Sequence, residues 1–319
     1  MAGGLTRMPT LARRLSRRLA LTLIAMWGAA TLAFAGMRLV PGDPARVIAG
    51  GVQANATPQV LDAIRDQYGL REPVLVQYGV FLGRLLRGDL GESYQLNQSV
   101  SGVILDQLGP TVALAAGASA LGFSLAVGAA LLTAGRPGPR VVSRALEFGS
   151  ISTPNFWIGI LLLAAFSFRL HWFPVIGDGG LSALVLPWVA LALPIAGVLA
   201  QVTREGLERA LGQPFALTAR ARGATEHRVR LRHALRHAAL PVLTLSGWAL
   251  GELLAGAVVV ETVFARQGLG HVVVAAVRGR DFPVVTGVVV LSALTFSLVN
   301  TALDLLYRLV DPRMRQAAL

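Results

Sequence analysis

The sequence predicts an all-α, polytopic membrane protein with six transmembrane helices and a small extracytoplasmic helical insertion after the first. Three observations lead there. Hydrophobic residues make up 54% of the 319 residues and charged residues only 14%. Six stretches with little or no charge reach the roughly 20 residues that cross a bilayer. And the net charge of +12 is distributed to one side of those stretches, as positive-inside bias requires.

The spans fall at about residues 19–40, 111–135, 148–168, 181–203, 238–260 and 284–303. Residues 1–18 precede the first span and carry Arg13, Arg14, Arg17 and Arg18. The apolar run that follows ends in Ala33-Phe34-Ala35, an A-x-A cleavage pattern, yet it is longer than a signal core, so retention as a membrane helix is expected. Residues 41–110 are too long for an ordinary connection. Leu61–Tyr68 and Val74–Leu86 carry apolar residues at helical spacing, which predicts short helices in an extracytoplasmic subdomain. The RGD at 87–89 is a three-residue match of the kind that chance supplies. Residues 111–308 form the remaining core, and 309–319 a cytoplasmic tail. Pro187 and Pro194 fall inside the fourth span, where neighbouring helices re-satisfy the freed carbonyls. Trp157, Trp172 and Trp188 lie near proposed span ends, where indoles favour the interface.

The N-terminus, the 136–147 loop, the 204–237 loop and the tail share one side, assigned to the cytoplasm. That side has nineteen arginines and six acids, the other ten of each, and Glu252 lies within a span. The resulting charges are +13, 0 and −1, so nucleic-acid binding is not needed to explain the basicity. There is no cysteine, which excludes disulfides and thiolate chemistry. There is also no lysine, which excludes the phosphate loop G-x-x-x-x-G-K-S/T; any ATP is bound by another chain.

The 204–237 loop is ordered. Residues 204–212 extend the fourth helix inward, and Pro214 suits a first helical position. Phe215–Arg222 reads as a short helix, ended by Gly223 in a left-handed turn. Glu226–His237 reads as another helix leading to Pro241. A short helix between turns, under the membrane, suits docking into a partner's groove.

This loop resembles that of permease subunits of ATP-binding-cassette importers of the dipeptide, oligopeptide and nickel group, whose motif commonly reads T-A-R-A-K/R-G, then R-H-A-L-R-N-A, then proline. Here stand Thr218-Ala219-Arg220-Ala221-Arg222-Gly223, Arg232-His233-Ala234-Leu235-Arg236-His237-Ala238 and Pro241. The slot of the family's glutamate falls on Leu217. Further segments are similar in order along some 270 residues: PGDPA, LREPVLVQY, RGDLGESY, TPNFWIGILL, AGAVVVETVF, RDFPVV and DPRMR. Arg266-Gln267 departs from the relatives' Trp-Pro.

The resemblance implies a type I importer permease fold and a role without covalent chemistry. A second permease, suggested to be a paralogue, would complete the pore. Two ATPase subunits would bind ATP and Mg, and an extracytoplasmic binding protein would deliver cargo. This chain would carry no cofactor. Thr218–Gly223 would be the coupling helix. Di- or oligopeptides are the implied cargo, with nickel or a metal–chelator complex as the alternative. An ion-coupled secondary transporter is a further alternative; it predicts an internal repeat, and none is visible.

His233 and His237, spaced i, i+4, are arranged as two metal ligands would be. The H-E-x-x-H base is missing and Arg232 and Arg236 oppose a cation, so no metal site is expected. Glu252 is the acid well inside a span. Such carboxylates face a cavity or a partner; it lines the substrate path or bonds to a neighbouring helix, and both readings stand open. No G-x-S-x-G, H-E-x-x-H or catalytic carboxylate pair supports an enzyme.

Overall fold

The computed structural model describes residues 8–39, 42–50, 56–175 and 180–310. Their regular elements are helices: α1 (Met8–Leu39), α2 (Pro44–Ile48), α3 (Pro58–Gln67), α4 (Val74–Leu86), α5 (Val100–Thr133), α6 (Pro137–Ser152), α7 (Asn155–Leu162), α8 (Ser182–Leu211), α9 (Pro214–Ala221), α10 (Glu226–Arg228), α11 (Leu235–Val263), α12 (Leu269–Arg278) and α13 (Phe282–Val310). Two π-helical segments, Leu163–Arg169 and Val229–Ala234, continue α7 and α10. Of the expected tail, residues 309–310 end α13, and 311–319, which contain the DPRMR segment, lie outside the described residues.

Among the described residues, five helices are long and apolar enough to span: Ser16–Leu39, Val100–Thr133, Ser182–Leu211, Pro241–Val263 and Phe282–Leu303. The expected third span is broken. α6 and α7 with its π segment meet at a bend of 107° and complete a set of six only if counted as one span. The cause lies at Thr153-Pro154. Proline has no N–H to donate and its ring clashes with the preceding turn, and it drives the residue before it out of the helical region. Thr153 accordingly sits at φ −101°, ψ 125°. The residues 136–147, expected as a loop, are mostly the start of α6, opened by Pro137 at a first-turn position.

Two other boundaries differ from expectation. α5 begins at Val100, well before Thr111, and runs through Pro110; Ser99 caps it by accepting the Gly102 N–H (3.2 Å). α11 begins at Leu235 and runs through Pro241, whereas 226–237 was expected to form a helix of its own before the fifth span.

The chain divides into two compact units, Met1–Leu108 with Val272–Leu298, and Gly109–His271 with Val299–Leu319. In the first, Asp281 is buried and accepts hydrogen bonds from the Ser93 hydroxyl and from the Tyr94 and Gln95 N–H groups (3.2 and 3.3 Å). That fastens the turn before α5 to the start of α13. Phe34 of α1 stacks on Phe81 of α4 and meets Tyr78 at a tilt of 57°, with centroids 5.5 and 5.3 Å apart.

In the second unit, Leu191, Ile195 and Leu199 of α8 pack with Leu253, Ala257 and Val260 of α11 and Leu114 and Ala118 of α5. Trp188, expected at an interface, lies against Gly117 of α5. Gly206 marks a close approach of α8 to α11, since a Cβ there would stand 2.8 Å from that of Ala238. Small residues at such crossings let membrane helices approach and recover dispersion energy.

Candidate functional site

The residues expected to matter most, Thr218–Gly223, form the second half of α9 and its exit. Pro214 occupies the first turn, where no N–H is needed. At the other end the N–H of Gly223 bonds to the Arg220 carbonyl (2.9 Å) and that of Ala224 to the Ala219 carbonyl (3.1 Å). This is the Schellman pattern, with Gly223 at φ +82°. Thr225 then caps α10 by accepting the Arg228 N–H.

α9 presents two faces. Ala216 is buried, and Phe215 and Ala219 are half-buried. Phe215 stacks on His237 of α11 at 4.6 Å between centroids and packs on an alanine-rich cluster of Ala130, Ala134, Leu207, Ala210, Ala234 and Ala238. Leu217, Thr218, Ala221 and Arg222 face outward, with Leu217 69% exposed. Of the two alanines expected on a docking surface, Ala221 is on it and Ala219 faces inward. Arg220 is engaged within the loop, donating to Glu226 at 2.6 Å, whereas Arg222 is exposed.

The platform beneath α9 rests on charges that sequence reasoning missed as a group. Arg204 of α8 is 2% exposed. Its Nε donates to Thr133 of α5 (2.7 Å), Nη1 to Glu147 of α6 (3.1 Å), and Nη2 to Ser143 (2.9 Å) and again to Glu147. Ser143 in turn donates to Glu147 at 2.6 Å. Buried charges are tolerated only when paired and hydrogen-bonded like this. Beside them Arg140 pairs with Glu208 (3.1 Å), and Arg230 of the π segment donates to the Leu131 carbonyl near the end of α5 (3.0 Å). The signal available in the sequence was that Glu147 ends one charged segment and Arg204 begins another, each next to an apolar span on the same assigned side.

Glu252 lies on an exposed face of α11 with Thr244, Trp248, Ala255 and Val259. No hydrogen bond or ion pair to it is present among the described residues, so it does not fasten two helices of this chain. Glu261, at the end of the same span, does. It is buried and accepts from Thr111 (2.7 Å) and from the Gly270 and His271 N–H groups at the start of α12 (2.8 and 3.2 Å). A carboxylate at a helix N-terminus is stabilised by the unpaired N–H groups there. This acid closes the apolar run AGAVVV in the sequence and was passed over.

Among the described residues, no group of three His, Cys, Asp or Glu side chains is placed to hold a metal. His237 is occupied with Phe215, as above. His233 lies within the π segment, where the turn is wider than the i, i+4 argument assumes.

Apolar helices of spanning length, braced by a buried ion pair, and a short helix mounted on their ends by aromatic stacking define a multi-pass membrane protein with a surface element. The chain belongs to the family of binding-protein-dependent transport system inner membrane components, whose profile matches residues 118–316. The profile of the N-terminal region of such membrane components matches residues 11–115. Among relatives, a putative peptide transport system permease protein of Brucella abortus (strain 2308) is 39% identical over 311 residues, covering 94% of this chain and 98% of its own length. Another from Brucella suis biovar 1 is 39% identical over 310 residues, with 93% and 97% covered. The glutathione transport system permease protein GsiC of Salmonella typhimurium is 38% identical over 288 residues, with 90% and 93% covered. The chain is therefore a transport subunit of the inner membrane, not an enzyme.

Proposed function

We propose that the chain forms part of a translocation pathway for di- or oligopeptides and is driven by separate ATPase subunits that dock on α9. The relatives named for peptide and glutathione transport support the cargo class. The observation that carries the docking reading is the two-faced α9. Its inner face is locked to α11 through Phe215 and His237, and its outer face leaves Leu217 and Arg222 exposed beside Thr218. An exposed leucine next to an arginine on a rigid short helix is the composition of a helix that enters a groove in another protein. A displacement of α9 passes directly into the span that carries Glu252.

In this reading the partner ATPases hold ATP and Mg, a second permease completes the pore, and an extracytoplasmic binding protein delivers the peptide. The N- and C-termini, α9 and the Arg204 platform are cytoplasmic, and residues 41–110 form the extracytoplasmic subdomain. Glu252 faces the pathway or the second permease. A carboxylate turned to hydrocarbon is costly, and it has no partner within the described chain to offset that cost.

The absence of cysteine makes a direct test clean. Leu217→Cys is expected to crosslink to a co-purified ATPase subunit, and the crosslink to weaken when ATP traps the motors closed. Recovery of the chain with no ATPase, and transport in liposomes driven by a proton gradient alone, would overturn the docking reading. Glu252→Gln is expected to lower peptide uptake with ATPase assembly intact; unchanged uptake across pH would remove Glu252 from the path.

A further inference from the structure

The first unit contains a cavity of about 320 Å³ that neither the coupling site nor Glu252 touches. It lies where two spans end, at the last turn of α1 and the first turn of α13, and α4 forms one wall. Its apolar lining includes Phe34, Met37, Val80 and Phe81. Two guanidiniums, Arg38 and Arg84, and two carboxylates, Glu72 and Asp89, also line it. The charges therefore balance, yet they do not pair with one another. Arg38 lies over the Phe34 ring (5.4 Å) and donates to Gln77. Asp89 accepts the Gly91 N–H (2.9 Å). The Arg84 guanidinium, the Glu72 carboxylate and the Tyr94 hydroxyl make no hydrogen bond or ion pair among the described residues, although Arg84 lies near enough to Tyr94 to act on it electrostatically. Burial pushes the Tyr94 phenol up to about 12, which keeps it an O–H donor at any physiological pH.

The surroundings say what kind of molecule brings such a headgroup. α4 buries none of its residues fully. Val74, Leu75, Val80 and Leu86 are exposed along it, as are Leu32 and Leu39 along α1. A short apolar helix with an exposed apolar face, packed against the end of a span through Phe34, Tyr78 and Phe81, suits the membrane interface. Acyl chains that cover α1 and α4 thus lead directly to a cavity with separated donors and acceptors. Cavities of this size bury a small ligand or headgroup, not a whole lipid, and the exposed faces of α1 and α4 take up the rest.

We propose that this cavity holds the headgroup of an aminophospholipid from the adjoining leaflet. Its phosphate accepts from Arg84, Arg38 and Tyr94, and its primary ammonium donates to Glu72 and Asp89. Arginine suits a phosphate diester because its fork of N–H donors matches two phosphate oxygens. A primary ammonium has three N–H donors for carboxylates; a trimethylated one has none, and a glycerol headgroup has no cation.

The test uses the full-length chain purified in mild detergent and mixed with phosphatidylethanolamine, phosphatidylcholine and phosphatidylglycerol of identical acyl chains. Native mass spectrometry reads the lipid retained. The expected result is one phosphatidylethanolamine per chain, about tenfold over the other two, equivalent to about 1.4 kcal/mol. Arg84→Gln and Tyr94→Phe should each lower its retention severalfold. Glu72→Gln should keep lipid binding but flatten the preference over phosphatidylcholine, a change that misfolding does not produce. Equal retention of all three lipids, or unchanged retention in Arg84→Gln, would overturn the site. So would equal competition by glycerophosphoethanolamine, which has the headgroup and no chains, or displacement by a peptide.

Discussion

Two arginine–glutamate pairs in the second unit look alike on paper and differ in kind. Arg204 and Glu147 are buried, come from different helices, and share Ser143 and Thr133 in a closed set of hydrogen bonds. Arg220 and Glu226 are six residues apart and exposed. An exposed pair is screened and contributes little. A buried pair is costly to assemble and more costly to break, because the survivor is left charged in a poor solvent. The difference teaches that the basic side of this protein contains both a brace and a surface. The brace joins α5, α6 and α8 into a platform. The surface is where a partner would find α9.

Removing one side of the brace should give the largest effect. Arg204→Leu leaves Glu147 buried and unpaired and is expected to destabilise by roughly 3–5 kcal/mol, read as a large drop in the detergent-solubilised thermal midpoint and in membrane yield. The double change Arg204→Met with Glu147→Leu should restore much of it, since two apolar groups need no partner. If the single and double variants are equally damaged, the pair is not what holds the platform.

Gly223→Val comes next. There is room for a Cβ, so the cost is backbone strain at φ +82°, about 1–2 kcal/mol, confined to the end of α9. The expected outcome is a protein that inserts normally but fails to couple ATP hydrolysis to transport, with Gly223→Asn much milder because asparagine tolerates the left-handed region. Normal transport by the valine variant would remove the glycine from the mechanism.

Phe215→Leu should be smaller still. It keeps an apolar side chain on the alanine cluster and loses the ring contact with His237, worth roughly 0.5–1.5 kcal/mol. Lowered transport per ATP hydrolysed, at nearly unchanged stability, would place the stack on the path between α9 and α11.

The smallest effect belongs to the exposed pair. The hydrogen bond from Arg220 holds the Glu226 carboxyl below its ordinary value. A carboxylate depressed in this way stabilises the fold above its unfolded value, about 4.3, and that contribution fades as pH falls through the lower folded value. Melting of Glu226→Gln against the parent should therefore differ slightly at neutral pH, converge in acid, and converge at neutral pH in high salt. A difference that persists in acid would mean Glu226 acts through something other than its charge.

Much of the architecture was legible because the relevant forces are local. Lipid demands long uncharged runs, so the spans stand out at residues 19–40 or 181–203 without knowledge of any contact. The ends of α9 were legible for the same reason: Pro214 and Gly223 act on their own backbone. The bend within the third span was not foreseen, although Pro154 was in plain view. Hydropathy averages over 148–168 and does not register that one residue turns the chain. Pro241 behaves in the opposite way and is carried through within α11, as a proline in a packed membrane helix can be. Whether a proline bends or is absorbed depends on its neighbours, which a sequence does not show.

What the sequence by itself determined is therefore the set of membrane-crossing segments, their charge asymmetry, and the caps of the short basic helix, each a matter of one residue's preference or of a run's mean polarity. Only the tertiary structure decided which charges are structural. It paired Arg204 with Glu147, seated Glu261 on the N-terminus of α12, turned Ala219 inward and Leu217 outward, and left Glu252 without a hydrogen-bond or ion-pair partner among the described residues. Those outcomes depend on distances between residues tens to hundreds apart, and on whether water reaches them. No property of an isolated residue contains either quantity.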